Sequence, residues 1–227
     1  MFGKLYGVGV GPGDPELLTI KAVRIIKEAD VLAVPGDEKE GSVAYKIAKQ
    51  AVNDIDTKKI ISIHMPMTKD EIRLKESHKK GAEEIIRYLE QGKTVAFLTL
   101  GDPTIYSTYL YLHKIISERG YETEIVSGIP SFCAVAARLN QGLVEKKQQL
   151  HVIPSSYDLK DALELSGTKV LMKAGKKMSS VIEYLKTMEC QASMIENCGM
   201  ENEKIYRKLD DIKNDAGYYS LIIVKED

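Results

Sequence analysis

The chain of 227 residues lacks the features that mark several large classes of protein. It has three cysteines, an odd number with no CxxC spacing, so neither a disulfide scaffold nor a structural zinc site is expected. No apolar run approaches the length that crosses a membrane. The first residues, MFGKLYGVGVG, turn into glycines before the apolar part of a signal peptide could form. We therefore expect a soluble, cytoplasmic protein with no bound metal.

A net charge of either sign is also nearly missing. Lysine and arginine number 32 and aspartate and glutamate 33, which gives a formal net charge of −1. No basic field draws the chain to nucleic acid, and no acidic tail or membrane-surface helix is indicated. With 44% hydrophobic and 29% charged residues, the chain has the composition of folded cores. Its length fits one large or two medium domains.

What is present is a regular alternation of short apolar runs with helix-like segments. Five runs in the first half predict strands at 5–9, 31–34, 60–65, 94–100 and 123–126. Helices are expected after Asp14-Pro15, after Gly41-Ser42, from a capping box at Thr68–Glu71, and from about Ser107. Such alternation predicts a parallel sheet, with the almost wholly apolar run TVAFLTL at its centre.

The second half repeats the alternation with fewer helices. Strands are predicted at 150–153, 169–173, 192–196, 204–208 and 219–224, and helices near 159–165 and 179–188. Because the last strands lack helical connectors, this sheet should be mixed. The predicted fold is two α/β domains, residues 1–122 with a five-stranded parallel sheet and residues 123–227 with a mixed one. The polar segment 142–149 is interpreted as part of the join between them.

The loop after the first strand has some parts of a phosphate cradle. In the pattern GxGxxG the third glycine position is Asp14 when counted from Gly9, or Pro12 when counted from Gly7. An acidic cap would repel a pyrophosphate. Residues 36–42 nearly spell a P-loop, but Ser42 stands where the lysine must be. A tight strand–helix turn and a binding loop for something other than phosphate both remain open.

A sharper signal is Gly101-Asp102-Pro103, which follows the predicted central strand. Glycine lets a ligand approach the backbone, proline sets the exit of the chain, and the carboxylate can accept from an amine or from ribose hydroxyls. In a parallel sheet, turns of this kind meet at the carboxyl edge. Two of them at one edge predict a binding cleft.

Five segments, in order over essentially the whole chain, resemble the tetrapyrrole methylase family. They are YGVGVGPGDPELLTIKA at 6–22, AFLTLGDPTIY at 96–106, SGIPS at 127–131, Met172-Lys173 and Glu196-Asn197-Cys198. The resemblance implies two α/β domains with S-adenosyl-L-methionine in the cleft between them, S-adenosyl-L-homocysteine as product, and usually a homodimer. HMPMT at 64–68 and DPTIYSTYLYLH at 102–113 resemble the precorrin-2 C20-methyltransferases, including the cobalt-factor II form. The implied substrate is therefore precorrin-2 or cobalt-factor II.

The same resemblance implies which residues bind the cofactor. They are Pro12, Leu100, Gly101, Asp102, Ile105, Tyr106, Pro130, Ser131, Met172 and Cys198. Met172 and Cys198 stand where the family packs the adenine. Pro130 departs from the usual small or hydroxyl residue and removes a backbone donor. Cys198 replaces a usual alanine, which keeps a small apolar side chain.

The tetrapyrrole carries carboxylates, so basic side chains are expected at the mouth of the site. The predicted substrate-binding residues are His64, Arg138 and Lys173, with Lys146 and Lys147 as further candidates. No catalytic base is assigned, because His64, a tyrosine or water could each take the proton that the methyl group replaces.

Several of these residues also have an ordinary structural interpretation. His64 fits a structural histidine, and Tyr106, Tyr109 and Tyr111 fit either a macrocycle-lining surface or, for one or two of them, the core. His78 and His113 stand beside lysines on helices and are interpreted as solvated.

Three other functions remain open beside C20 methylation. Another tetrapyrrole methylase would act on uroporphyrinogen III or at C11 or C17. An RNA or diphthamide methylase of this fold is disfavoured by the near-neutral charge. A non-catalytic nucleotide-binding module or a phosphate-transfer enzyme would need a phosphate cradle, which both glycine loops fail to supply.

Overall fold

The computed structural model describes residues 2–154, 160–173 and 175–226. The chain divides into two compact units, Met1–Pro130 and Ser131–Asp227. The predicted boundary after residue 122 lies one strand too early. The strand Glu122–Val126 belongs to the first unit because it pairs along its length with the first strand of the chain.

The first unit is built on a five-stranded sheet in the order β3-β2-β4-β1-β5. All its strand pairs are parallel, as predicted. The strands are β1 (Lys4–Gly9), β2 (Val31–Pro35), β3 (Lys59–Ile63), β4 (Val95–Thr99) and β5 (Glu122–Val126). Every residue of β4 is buried, because β4 lies in the middle of the sheet and both of its faces are covered.

Helices connect these strands and cover both faces of the sheet. They are α1 (Ile20–Glu28), α2 (Val43–Ala51), α3 (Glu71–Leu89) and α4 (Tyr109–Glu118). Residues of α1 and α2 pack on one face, in a core that includes Leu32 and Leu98. Residues of α3 and α4 pack on the other face, around Phe97 and Ile63. The carboxyl ends of the five parallel strands therefore meet at one edge of this sheet.

Two of the predicted helix starts differ in detail. Asp14 and Pro15 begin only a short 3₁₀ turn, Pro15–Leu17, and α1 starts at a second cap, where Thr19 Oγ1 accepts from Ala22 N at 3.1 Å. The N-cap of α3 is Asp70, whose Oδ1 accepts from the amides of Ile72 and Arg73 at 3.0 and 3.1 Å. A carboxylate there satisfies two amides that the helix leaves unpaired, so Asp70 and not Thr68 caps the helix.

The second unit contains a mixed sheet in the order β6-β7-β10-β8-β9. Its strands are β6 (Leu150–Pro154), β7 (Thr168–Met172), β8 (Cys190–Glu196), β9 (Lys204–Tyr206) and β10 (Ser220–Glu226). Only β6 and β7 pair in parallel, and the other three pairs are antiparallel, which confirms the predicted mixed sheet. The helices of this unit are α5 (Ser131–Leu139), α6 (Lys160–Leu163) and α7 (Met178–Leu185).

The segment 142–149 lies within the second unit and does not join the two units. The Thr168 hydroxyl donates to Leu143 O at 2.6 Å, and Thr168 N donates to Gln149 O at 2.9 Å. Both hydrogen bonds tie the segment to the start of β7. The helix predicted over 159–165 is shorter, and residues 155–159 before it lie outside the described part of the chain.

No helix in the described part of the chain is both long enough and apolar enough to cross a membrane.

Candidate functional site

Three glycines meet where β1, β4 and β5 end at the carboxyl edge of the first sheet. A Cβ added to Gly128 would lie 2.2 Å from Gly101 O and 2.8 Å from Gly9 Cα. A Cβ added to Gly9 would lie 2.6 Å from both Gly101 O and Gly128 N. Real Cβ atoms do not approach backbone this closely, so only glycine fits at these two positions. We call Gly9, Gly101 and Gly128 the glycine junction.

The loops that follow β1 and β4 are hydrogen-bonded to each other. Gly101 N donates to Gly11 O at 2.8 Å, and Gly11 N donates to Gly101 O at 3.2 Å. Gly11 and Gly101 have φ angles of 74° and 71°, the left-handed region that glycine adopts without strain. The predicted binding loop after β1 and the predicted turn after β4 therefore form one backbone platform.

Asp102 is buried in this platform and bonded within it. Its Oδ1 accepts from Thr104 N at 2.8 Å and from the Thr104 hydroxyl, and its Oδ2 accepts from Gly128 N at 2.9 Å. Only 7% of the residue is exposed. Three donors to one carboxylate hold the turn after β4 against the end of β5. The carboxylate organises the loops in addition to any bond it makes to a ligand.

The remaining first-unit residues of the predicted cofactor set lie around the platform. Pro12 is buried, Leu100 packs on the core beneath α1 and α2, and Ile105 N donates to Asp102 O at 3.3 Å. Tyr106 has a φ of 48° and is 49% exposed. Pro130 is half-buried at the end of the first unit. A tyrosine with positive φ is uncommon, so the surroundings of Tyr106 impose its backbone conformation.

The chemistry of the platform suits a ligand that has no phosphates. Residues 10–14, 100–104 and 127–130 contain no lysine or arginine, and their only charged side chains are Asp14 and Asp102. A polyphosphate needs cationic side chains or amides at a helix start, and here an acidic residue takes that place. Bare backbone beside acidic groups accepts a positively charged ligand, so the residues fit a sulfonium compound.

In the second unit, the structure brings Met172 and Cys198 to one apolar cluster. Both are partly buried against a core that includes Val170, Ile195 and Leu221. Met172 is the last residue of β7 and pairs with Leu221. Cys198 is the second residue after β8. Ser131, the other predicted residue in this unit, is the first residue of α5.

The predicted basic residues of the second unit have different surroundings. Lys173 follows Met172 with a φ of 60°, and its Nζ lies 6.0 Å from the centre of the Tyr218 ring. Arg138 Nε donates to Glu203 Oε1 at 2.8 Å, and the other oxygen of Glu203 accepts from Gly199 N. Arg138 is therefore tied to the loop that carries Cys198. Lys146 and Lys147 are exposed.

His64 lies at the same edge of the first sheet as the platform, directly after β3. Its ring Nδ1 pairs with a carboxylate oxygen of Asp37, which follows β2. The side chain of His64 is 57% exposed and that of Asp37 is 78% exposed. Ser77 of α3 donates its hydroxyl to His64 O at 2.6 Å, and Gly36 N donates to Ile63 O at 3.0 Å. The pair is thus solvent-accessible, while the backbone that carries it is held at both loops.

A cavity of about 260 Å³ lies beside His64 and α3. It is lined by His64, Pro66, Arg73, Glu76, Ser77, Lys80, Gly81 and Glu84. Its basic and acidic side chains are equal in number apart from the histidine. This mixture gives no selection for a ligand of one charge.

The interpretation of His78 as a solvated residue is wrong. His78 is only 7% exposed and stacks on Tyr111 with ring centres 4.5 Å apart, and burial lowers its pKa. The half-buried His113 lies 3.1 Å from the Tyr109 hydroxyl, and burial lowers its pKa too. Tyr109 is fully buried in the core, whereas Tyr111 is 54% exposed, so one of the three tyrosines is core as expected.

Sequence reasoning missed Asp37, Gly128 as part of the junction, and the role of Ser77. His64 is selected by the family resemblance of residues 64–68, and none of the resembling segments contains Asp37. Because Asp37 follows the predicted strand 31–34, the rule that ligands bind at the carboxyl ends of parallel strands could have selected it. Ser77 lies mid-helix, and no pattern marks it.

Comparison with known proteins gives the chain a family. The model of the family described as Tetrapyrrole (Corrin/Porphyrin) Methylases matches residues 4–213. A probable cobalt-precorrin-2 C(20)-methyltransferase of Methanocaldococcus jannaschii is 40% identical over 98% of this chain and 96% of its own. The cobalt-precorrin-2 C(20)-methyltransferase of Salmonella typhimurium is 32% identical over 100% of this chain and 98% of its own.

The fold has a counterpart among solved structures. The uroporphyrin-III C-methyl transferase of Thermus thermophilus, complexed with S-adenosylhomocysteine, superposes with a TM-score of 0.72. The two sequences are 18% identical, and the match covers 99% of this chain and 98% of the other. The family model, the relatives and the fold agree with the resemblance drawn from the glycine loops and the Gly101-Asp102-Pro103 turn. The chain belongs to the tetrapyrrole (corrin/porphyrin) methylase family.

Proposed function

We propose that this protein transfers a methyl group from S-adenosyl-L-methionine to C20 of precorrin-2 or cobalt-factor II, within the corrin route to cobalamin. The observation that carries the proposal is the platform at the carboxyl edge, which is built from glycine backbone and acidic side chains. Two relatives matched over nearly their full length bear the name of this activity. The protein is thus an S-adenosylmethionine-dependent C-methyltransferase.

The platform residues would hold the methyl donor. In the first unit these are Pro12, Leu100, Gly101, Asp102, Ile105, Tyr106 and Pro130. The family resemblance adds Ser131, Met172 and Cys198 in the second unit, of which Met172 and Cys198 would pack on the adenine. S-adenosylmethionine brings a methyl group already activated by the sulfonium charge. The chain therefore needs no strong nucleophile of its own, and its contribution is to orient the ring carbon and exclude water.

Basic side chains would receive the carboxylates of the tetrapyrrole. Lys173 stands next to Met172, so a carboxylate at this lysine would lie beside the adenine-packing residues. Arg138 is held toward the Cys198 loop by Glu203, and its guanidinium would attract a carboxylate of the ring. His64 would contact the ring at the β3 end of the edge.

The test is direct turnover. The protein is incubated with S-adenosylmethionine and either metal-free precorrin-2 or cobalt-factor II. Mass spectrometry should show one added methyl on one of the two rings, and NMR should place it at C20. Methylation of uroporphyrinogen III instead, or at C11 or C17, would assign the chain to another activity of the family. This experiment also decides whether the ring arrives with cobalt.

A nucleotide-binding module without methylase activity is tested by calorimetry. We expect S-adenosylhomocysteine to bind and ATP and NAD not to bind. Tight uptake of ATP or NAD with indifference to S-adenosylhomocysteine would reject the methylase.

The substrate role of Lys173 is tested with Lys173→Gln. Loss of the ammonium should raise the KM for tetrapyrrole about tenfold, the size of one charge-assisted hydrogen bond, and leave the affinity for S-adenosylhomocysteine unchanged. The exposed Lys213→Gln is the matched control in the same unit. Equal losses of both affinities in Lys173→Gln would contradict the assignment.

We further propose that the protein is a cytoplasmic homodimer, as the family resemblance implies. None of its three cysteines, all within the described residues, forms a disulfide, which suits a reducing compartment. Light scattering after gel filtration tests the dimer, and fractionation of the host cells tests the compartment.

A further inference from the structure

We propose that Asp37 and His64 act as one proton-accepting pair, in which His64 Nε2 removes the C20 hydrogen and Asp37 positions and stabilises the ring of His64. This inference rests on the proposed function and assigns the base that the sequence left open. It comes from the pairing of two side chains that follow different strands.

The pairing determines which nitrogen of His64 can accept a proton. Asp37 lies against Nδ1, so in the neutral ring Nδ1 carries the hydrogen and donates it to the carboxylate. Nε2 then carries the lone pair. When Nε2 takes a proton, the positive ring lies against the negative carboxylate of Asp37. Histidines held in this way act as general bases in many unrelated enzymes.

The backbone on both sides of the pair is anchored, so its geometry is set before a substrate arrives. His64 O is held by the Ser77 hydroxyl, and Ile63 O accepts from Gly36 N. After Asp37, Lys39 Nζ binds Asp56 Oδ1 at 3.3 Å and fixes the far end of the loop. Preformed geometry of this kind reduces the reorganisation that proton transfer requires.

The position of the pair suits a large flat substrate that also reaches the glycine platform. In the sheet order, β2 lies next to β4, and β3 lies one strand further out. The ends of β3 and β4 are therefore separated by two strand spacings, about 10 Å. A tetrapyrrole macrocycle spans such a distance, whereas a small substrate at the platform would not reach His64. The exposure of both side chains leaves room for the ring.

The step balances in atoms and electrons. Once the methyl group has joined C20, that carbon holds both the methyl group and its original hydrogen, and the ring carries one additional positive charge. The C20–H bond then breaks, and its electron pair returns to the ring π system. The proton goes to His64 Nε2 and afterwards to water, which restores the neutral imidazole.

The test compares His64→Gln and Asp37→Asn with His151→Gln and Asp54→Asn, two controls that are not among the residues proposed for the site. His151 is in β6 of the second unit, and the exposed Asp54 precedes β3, whereas His64 follows it. With His64→Gln, kcat should fall about 100-fold, the usual size of a general-base contribution. The deuterium isotope effect with C20-deuterated ring should rise, because C–H cleavage becomes rate-limiting. Binding of S-adenosylhomocysteine should not change.

A second measurement needs no substrate. In a long-range ¹H–¹⁵N spectrum of the ligand-free protein, His64 should hold its hydrogen on Nδ1, and Asp37→Asn should shift the tautomer toward Nε2. The inference is overturned if Asp37→Asn leaves the tautomer unchanged. It is also overturned if His64→Gln changes only the KM for the ring, with the isotope effect and kcat at wild-type values.

Failure of the proposed function gives a different result. If the wild-type protein methylates neither ring, the proposed function falls and this inference with it. If the wild-type protein methylates C20 and His64→Gln does so at the same rate and isotope effect, only the inference is rejected.

Discussion

Two aspartates follow neighbouring strands of one sheet and have opposite surroundings. Asp102, after β4, is 7% exposed and accepts three hydrogen bonds from its own loops. Asp37, after β2, has a side chain that is 78% exposed and pairs with one histidine. Buried between two loops, the Asp102 carboxylate holds backbone in place. At a solvent-facing end of the same edge, the Asp37 carboxylate pairs with the ring of a histidine. Position along one sheet edge therefore decides whether a carboxylate is enclosed by backbone or meets an exposed side chain.

The largest effect should come from disrupting the enclosed loops around Asp102. Gly128→Ala places a methyl group 2.2 Å from Gly101 O, so the glycine junction has to open. We expect the protein to lose about 3 kcal/mol of stability through overpacking. We also expect the affinity for S-adenosylhomocysteine to fall about 100-fold through the displaced platform. Urea unfolding and calorimetry measure the two effects.

Gly41→Ala is the matched control for that substitution. No atom lies within 4 Å of its added Cβ. Its stability should stay within about 0.5 kcal/mol of the wild-type value. If Gly128→Ala behaved like this control, the glycine junction would not be the element that shapes the site.

The same substitution at Asp102 and at Asp37 tests directly whether the two carboxylates contribute differently to stability. Asp102→Asn replaces an oxygen that accepts hydrogen bonds by an amide that donates, and it leaves a buried backbone amide without its partner. It should cost about 2 kcal/mol in urea unfolding. Asp37→Asn should stay within about 0.5 kcal/mol, because its partner is exposed to water. Equal losses at the two positions would contradict the division of roles.

The smallest expected effect is the contribution of the buried His78 to the pH dependence of stability. Burial lowers the pKa of His78, so the unfolded chain binds a proton at a higher pH than the folded chain does. The stability from this residue is fully present above the ordinary value of 6.5, and is lost as the pH falls from there toward the depressed pKa. His78→Gln should flatten the decline in unfolding free energy between pH 7 and about pH 5. An unchanged slope in His78→Gln would show that His78 is not the source.

The fold followed closely from local pattern because each element obeys one local rule. The run TVAFLTL is apolar at almost every position, and only a strand covered on both faces buries all of it. The two helix caps that differed, Thr19 and Asp70, lie within a few residues of the predicted ones. Several acidic or hydroxyl side chains lie near each helix start, and the path of the chain into the helix determines which of them is the N-cap.

The candidate site could be predicted only in part. The Gly101-Asp102-Pro103 turn and the first glycine loop mark backbone that a ligand can approach. Both signals are local in the sequence. The partner of His64 lies 27 residues away in the chain, and no periodic pattern links the two. The lysines that follow His78 in the sequence indicated an exposed side chain, but the ring of His78 stacks on Tyr111.

Residue types within short windows were enough to predict two α/β units, the central strand, the family and the glycine-lined edge. Which carboxylate is enclosed and which one meets a histidine could not be read from any such window. That choice depends on the order of the strands in the sheet, β3-β2-β4-β1-β5, which places Asp37 beside His64 and Asp102 beside Gly128. Strand order follows from how the helices pack on both faces, and residues distant in the chain set that packing together.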